Sequence, residues 1–275
     1  MENNKSYSYH YLYVPGNKLE FIDKAIKKGV RNLIIDFEDS VPMNEKDIVR
    51  KNVCEFISNH EIDINISVRI NSDNEIQKKD IESLLSNSIK NIFVPKLETN
   101  SSIIKEKLGD EFDSVIGIIE TASGLNNLVK ITDKIKLNRA AIGEVDFSAD
   151  LGIEETSESL LFYRSQLVFI SKSLDLKKPI AGVYKNINDL EGLKEFALYV
   201  KKLGFGGMQA IHPTQVEIIE KTFRPTQDEI SDAVNLLQEI KLNNKKGIGV
   251  FVDSSGSIVD AAMIKKAEEI ITQSE

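Results

Sequence analysis

The stretch YLYVPGNK (Tyr11–Lys18) reads as a short aromatic and β-branched strand that stops at a Pro-Gly turn. The residues just after that turn decide between two folds. An open sheet built to bind a dinucleotide needs a glycine-rich loop there, so that backbone N–H groups can meet a pyrophosphate at a helix N-terminus. The YVPGNK segment lacks the glycine pattern, and no phosphate-cradling lysine loop follows any later strand.

Working outward, similar apolar runs recur as NLIIDF from Asn32, INISVRI from Ile64, NIFV from Asn91, SVIGII from Ser114, RAAIG from Arg139, IAGVY from Ile180 and GGMQAI from Gly206, which makes eight with the first. Segments with helical periodicity and polar faces lie between them, among them Lys18–Lys28, Glu45–Ser58, Ser123–Lys134, Ser159–Ser173 and Asn188–Lys202. Strict alternation of strand and helix implies a parallel sheet with crossover helices, and eight such units can close on themselves. We therefore expect an α/β protein with a (β/α)8 TIM barrel over residues 1–225, the open doubly wound sheet being the competitor. After Pro225 the pattern changes to a charged helix from Thr226 to Leu242, a basic NNKKG break, an IGVFVDSSGSIV hairpin and a last helix from Asp260. Residues 226–275 are thus expected to form a C-terminal lid.

Bulk properties narrow the function. With 41% hydrophobic and 28% charged residues the chain of 275 residues has the make-up of a globule with a sizeable core. Its formal charge of −8 provides no long-range attraction to nucleic acid or anionic membranes, so an anionic ligand must be held by local cations or a metal. The single cysteine, Cys54, sits at helical spacing in KNVCEFI and is expected to be a partly buried apolar residue without a disulfide. The N-terminal MENNKSYSYHYLYV has no basic segment leading into a long apolar run, and no stretch approaches the ~18 apolar residues of a membrane helix. No export signal, no membrane span and a cytoplasmic location are the expectations.

In a barrel of this kind the residues just past the strand C-termini converge on one mouth. There the sequence places Asp36, Glu38 and Asp39 after the second strand, Arg69 and Asn71 after the third, and Lys96 and Glu98 after the fourth. Glu120 follows the fifth, Asp146 and Asp150 the sixth, and His212 the eighth. Carboxylates facing one another across a narrow mouth repel, and a divalent cation removes that cost. Oxygen-only donors with open positions suit Mg²⁺, and nothing nearby offers the Cys or paired His of a zinc site. Glu120 and Asp146 are therefore the expected metal ligands, with Asp36, Glu38, Asp39 and Lys96 behind them. Each has a structural alternative. Glu120 could cap the helix that follows, Asp146 could be a turn residue, and Asp150 could cap or bridge. Arg69 could form a salt bridge to Asp36 or Glu38 instead of gripping a substrate carboxylate or enolate oxygen, and a His before Pro, as at His212, more often serves structure.

The ordered series YLYVPGN, LIIDFEDSVP, VRIN, FVPKLE, IIETASGLNN, IGEVDFSADLG, GVYKNINDLEGL, LGFGGMQAIHPTQVEII and GSIVDAAMIKKAEEII resembles the HpcH/HpaI aldolase and citrate lyase family. The likeness runs from about Tyr11 to Ile271. It implies a (β/α)8 barrel, a homotrimer whose C-terminal lid reaches a neighbour's site, and possible membership of a larger lyase complex. It also implies a Mg²⁺-dependent carbon–carbon lyase acting on an acyl thioester, carried by coenzyme A or an acyl carrier protein, and yielding a 2-oxo acid. By motif, Glu120 and Asp146 correspond to the Mg²⁺ ligands and also contact substrate, Arg69 to a substrate-binding and catalytic residue, and Asp260 to the lid base. A metal aldolase of free 4-hydroxy-2-oxo acids and a non-catalytic regulatory member are the competing functions. The chain departs from the family at Tyr9 and His10, where Arg-Ser is common, at Ala181, where aspartate is frequent, and at Ala261 and Ala262, where a Pro-containing turn is usual. Those departures bear on the acid and the thioester rather than on the metal.

Overall fold

The eight apolar runs become eight parallel strands in the computed structural model, which describes residues 8–60, 64–101, 103, 111–244, 251–252 and 258–274. They are β1 (His10–Pro15), β2 (Asn32–Asp36), β3 (Asn65–Arg69), β4 (Asn91–Val94), β5 (Ser114–Ile119), β6 (Arg139–Ile142), β7 (Lys177–Ile180) and β8 (Met208–Ala210). Neighbours in sequence pair in order from β1 to β7, and β8 pairs with β1. The remaining seam closes at Ala181, which bridges Met208, donates its N–H to the Gly207 carbonyl at 2.9 Å and accepts from the Gln209 N–H at 3.0 Å. The barrel is thereby all but continuous, as expected. One boundary moved: β7 starts at Lys177, earlier than the IAGVY run suggests.

Helices fill the crossovers: α1 (Glu20–Lys27), α2 (Lys46–Asn59), α3 (Asn74–Ser86), α4 (Ala122–Asn126), α5 (Leu128–Thr132), α6 (Glu144–Leu151), α7 (Ser157–Ser173), α8 (Leu190–Leu203) and α9 (Pro213–Phe223). Their starts are written in the sequence. Asp73 accepts from the N–H groups of Glu75 and Ile76, Thr156 and Ser159 form a reciprocal capping box, and Asp189 accepts from Gly192 N. The segment read as one helix over Ser123–Lys134 is two short ones. The break falls at Asn127, whose side-chain amide and backbone N–H both donate to the Ser123 carbonyl, at 2.9 and 3.0 Å.

Side-chain alternation sorts the strands into two faces. Leu12, Val14, Leu33 and Ile35 are buried on the face toward the helices. Ile34, Phe93, Ile116, Ile118, Ala141 and Ile180 form the apolar interior, with Tyr11 and Tyr13 packed against it. Near the strand N-termini Arg139 plugs that interior: its guanidinium lies over the Tyr11 ring at 5.5 Å, donates to the Tyr11 hydroxyl at 2.6 Å and donates from Nε to the Lys178 carbonyl. Toward the C-termini the inward residues turn polar, and that end carries the site.

Tyr9–Thr222 make up this compact unit, and the residues from Phe223 onward belong to a second. The second unit contains α10 (Gln227–Asn244), an antiparallel pair β9 (Phe251–Val252) and β10 (Ile258–Val259), and α11 (Ala261–Ser274), which packs on α10. The Ser-Gly turn expected inside VDSSGSIV and most of the NNKKG break lie outside the described residues.

Candidate active site

The β2–β3 register sets Asp36 beside Arg69 at the strand ends, both facing the interior. Arg69 grips Asp36 with a fork, Nε to Oδ1 at 2.6 Å and Nη2 to Oδ2 at 2.8 Å. The backbone N–H groups of Glu38 and Ser40 complete that carboxylate at 2.9 and 3.0 Å. Burial pushes the Asp36 carboxyl up, yet Arg69 and these donors outweigh it and hold it below the usual range. The third guanidinium nitrogen, Nη1, faces Asp39 at 3.1 Å and Glu38 at 3.4 Å. Below, the guanidinium rests on the Tyr13 ring, 4.9 Å from its centroid. The salt bridge considered for Arg69 is therefore formed, and it positions the arginine at the mouth.

Glu120 stands one residue past β5, 5% exposed, and its Oε2 accepts the backbone N–H of Lys96 at 2.7 Å. It does not cap α4. Thr121 does, accepting from Gly124 N at 3.0 Å, while Asp150 accepts from Ala122 N at 2.8 Å. Asp146 is half exposed in the first turn of α6, with Lys96 Nζ 3.9 Å from its Oδ1. Lys96 holds a left-handed backbone, φ 43°, and thus touches both candidate ligands, one through its N–H and the other through its ammonium. Burial above all, then the charges of Glu38 and Asp146, push the Glu120 carboxyl up to about 8 against the Lys96 N–H and Arg69. Burial likewise raises Glu38, which Arg69 offsets only in part.

Tyr13, Asp36, Arg69, Glu120, Asp146 and Gln209 line a shared cavity of about 510 Å³. Gly143 leaves it open: a Cβ there would fall 2.6 Å from Glu120 Oε1. The donor set fits a hard divalent cation, because acidic oxygens outnumber cations and an ion would offset the burial and like charge that raise the Glu120 carboxyl. Among the described residues no three His, Cys, Asp or Glu side chains could hold an ion together. Glu120 and Asp146 would thus supply two oxygens, leaving the other positions to water and substrate.

Glu144 also lines the cavity, yet its carboxylate is locked to buried Arg164 by bonds of 2.8 and 2.7 Å. Several other polar residues fall elsewhere. Asn71 donates to buried Asp80, Glu98 accepts from the Thr121 hydroxyl at 2.6 Å, and His212 bonds Thr214 in a local turn. Cys54 is buried with its Sγ 3.4 Å from Ser83 Oγ. Asp260 is exposed and accepts from Met263 N at 2.9 Å, the cap of α11. Tyr13 and Gln209 were not among the residues expected at the mouth. The Tyr13 hydroxyl donates to Gln209 Oε1 at 2.7 Å, and the Gln209 amide donates to the Ile142 and Ala181 carbonyls at 2.9 and 3.1 Å. Alternation alone could have turned both inward, and a lone glutamine in the apolar run GGMQAI was the available signal.

Known proteins share this sequence over much of its length. Citramalyl-CoA lyase of human mitochondria is 28% identical over 214 residues, covering 70% of this chain and 62% of its own length. The citrate lyase subunit beta of Leuconostoc mesenteroides subsp. cremoris is 28% identical over 285 residues, covering 98% of this chain and 94% of its own. Among solved structures, the citrate lyase beta subunit of M. tuberculosis complexed with oxaloacetate and magnesium superposes with a TM-score of 0.68 at 25% identity, covering 81% of this chain and 100% of that one. The family model described as HpcH/HpaI aldolase/citrate lyase matches residues 10–213, the strands and the mouth built above, and the chain belongs to that family.

Proposed function

We propose that the chain is a Mg²⁺-dependent carbon–carbon lyase that splits a 3-hydroxyacyl thioester, of the citramalyl, malyl or citryl type, into an acetyl thioester and a 2-oxo acid. One observation carries the reading: Glu120 and Asp146 line one cavity as an oxygen-only pair with more negative charge than its cations balance. The names and magnesium content of the relatives support it.

In cleavage the C2–C3 bond breaks. The hydroxyl on C3 becomes the oxo group as it loses its proton, and the bonding pair moves into the thioester as an enolate, which is then protonated at carbon. A bound Mg²⁺ would lower the cost of charge on the oxygen that becomes the oxo group. Arg69, fixed by Asp36 from one side and Tyr13 from below, supplies a pre-set positive charge at the mouth. Asp260 is the residue assigned to the carbon proton, giving it up in cleavage and taking it in condensation. Residues 226–275 act in this reading as a lid, contributed by a neighbouring subunit of a homotrimer in the cytoplasm, and coenzyme A is the carrier that the citramalyl-CoA lyase likeness favours.

Purified protein should release acetyl-CoA from at least one of citramalyl-, malyl- and citryl-CoA with Mg²⁺ present, and cease with a chelator. Turnover of free 4-hydroxy-2-oxo acids with no action on any thioester would replace this reading by an aldolase.

A further inference from the structure

Glu120 and Asp146 are held very differently. Glu120 is buried and its carboxylate accepts the Lys96 N–H at 2.7 Å, whereas Asp146 is half exposed and faces the Lys96 ammonium at 3.9 Å. The place of Asp146 relative to Glu120 therefore depends on what holds the first turn of α6. Gly143 at the N-cap has no side chain to cap that turn. The buried residues of α6 are Glu144, Phe147 and Ser148. Phe147 packs edge-on to the Tyr163 ring, and the Ser148 hydroxyl has no hydrogen-bond partner among the described residues. Glu144 supplies the directional tie.

Its side chain passes close over Gly182, where a Cβ would come within 3.0 Å of Glu144 Cγ, and ends in the two parallel bonds from Arg164. Arg164 belongs to α7, is 2% exposed, and lies over the Phe196 and Tyr199 rings of α8 at 5.1 and 5.5 Å from their centroids. A buried ion pair adds little net stability over apolar packing, but a guanidinium–carboxylate fork fixes direction. Arg164 does not itself line the cavity, while Glu144, two residues before Asp146, does. We propose that Arg164 is a positioning residue for the metal site: acting through Glu144, it sets the first turn of α6 and with it the Asp146 carboxylate relative to Glu120. The proposal rests on the reading of Glu120 and Asp146 as the Mg²⁺ ligands.

Calorimetric titration of the metal-free full-length chain with Mg²⁺, well below its melting temperature, tests this without turnover. Arg164→Met and Glu144→Ala each break the fork, and each should weaken Mg²⁺ binding about fivefold or more with far-UV circular dichroism unchanged. The double variant should bind no more weakly than the singles, because two residues acting through one link are not additive. It also strands no buried charge, so it keeps the test open where a single variant fails to fold. Leu167→Ala, which opens a void under the same helix, should lower the melting temperature and leave Mg²⁺ affinity as it was. Unchanged affinity in the folded double variant overturns the proposal, as do additive losses or an equal loss in Leu167→Ala. Tighter binding by Arg164→Met also overturns it, since Arg164 would then be withholding the Glu144 carboxylate from the ion. Absence of Mg²⁺ binding by the unaltered chain instead overturns the metal assignment, and this proposal falls with it.

Discussion

At the scale of single residues, Glu120 is the site's most revealing group. Its carboxyl is pushed from an ordinary 4.5 up to about 8 by burial and by the nearby charges of Glu38 and Asp146. A raised acid stabilises the fold fully below its ordinary value and loses that contribution as pH climbs through the folded one. Metal-free protein should therefore lose thermal stability between about pH 5 and 8, and Mg²⁺ should raise the melting temperature more at the alkaline end, because binding must displace the proton. Glu120→Gln should flatten the pH profile and abolish the Mg²⁺ shift. An equal Mg²⁺ shift at both ends in the unaltered protein would count against Glu120 as ligand. Much at this scale was legible, since Asp36, Arg69, Glu120 and Asp146 all stand at or just past a strand's C-terminal end, where a barrel gathers its site. Glu144 could not be sorted from them, because its partner Arg164 comes from another helix and only packing brings the two together. Tyr13 and Gln209 escaped for the same reason: their roles come from strands at opposite ends of the barrel sequence pairing side by side.

At the scale of elements, the acidic run after β6 is the instructive case. In sequence it looks like a charged loop, yet it folds as α6 starting directly at the strand end, with Gly152 closing it in the left-handed conformation at φ 67°. Helical periodicity separates Glu144 from Asp146 by roughly 200°, so one spends its carboxylate on Arg164 while the other, half exposed, faces the Lys96 ammonium at 3.9 Å. The hinge between strand and helix is Gly143, whose φ of −102° any residue tolerates. Its requirement is space. A methyl group there would fall 2.5 Å from Glu120 Cγ and 2.6 Å from Oε1, forcing the carboxylate aside. Gly143→Ala should thus weaken Mg²⁺ or Mn²⁺ binding by about tenfold or more, with far-UV circular dichroism unchanged. Unaltered metal affinity in a folded Gly143→Ala protein would show that the close approach does not set the ligand's position. Element boundaries were the less legible part, as the division of Ser123–Lys134 shows, because the apolar spacing of Leu125, Leu128 and Ile131 runs on through the break at Asn127.

For the whole molecule, the alternation of strand and helix specified the barrel, but its closure depends on contacts that no local pattern contains. Gln209 unites them: it spans the β7–β8 seam, accepts from β1 through Tyr13, and through that ring supports Arg69. Barrel integrity and site geometry are consequently one property, which is why a cavity assembled from seven strand ends can hold its charges without a dedicated scaffold. What the barrel unit does not itself supply, in the lyase reading, is the group that handles the carbon proton. Asp260 lies in the second unit, exposed and capping α11. If it serves a neighbour's cavity in a cyclic trimer, Glu120→Gln and Asp260→Ala are each inactive alone but complementary together, since one retains the lid and the other the metal site. Random mixing in equal amounts should then restore about a quarter of the sites, each pairing an intact cavity with an intact lid. Mixed trimers isolated through two different affinity tags each hold one such pairing in three, so they should regain thioester cleavage to about a third of the unaltered enzyme. A site completed within one chain predicts no recovery at any mixing ratio, so inactive mixed oligomers would remove Asp260 from the neighbour's chemistry and leave its helix cap as its role.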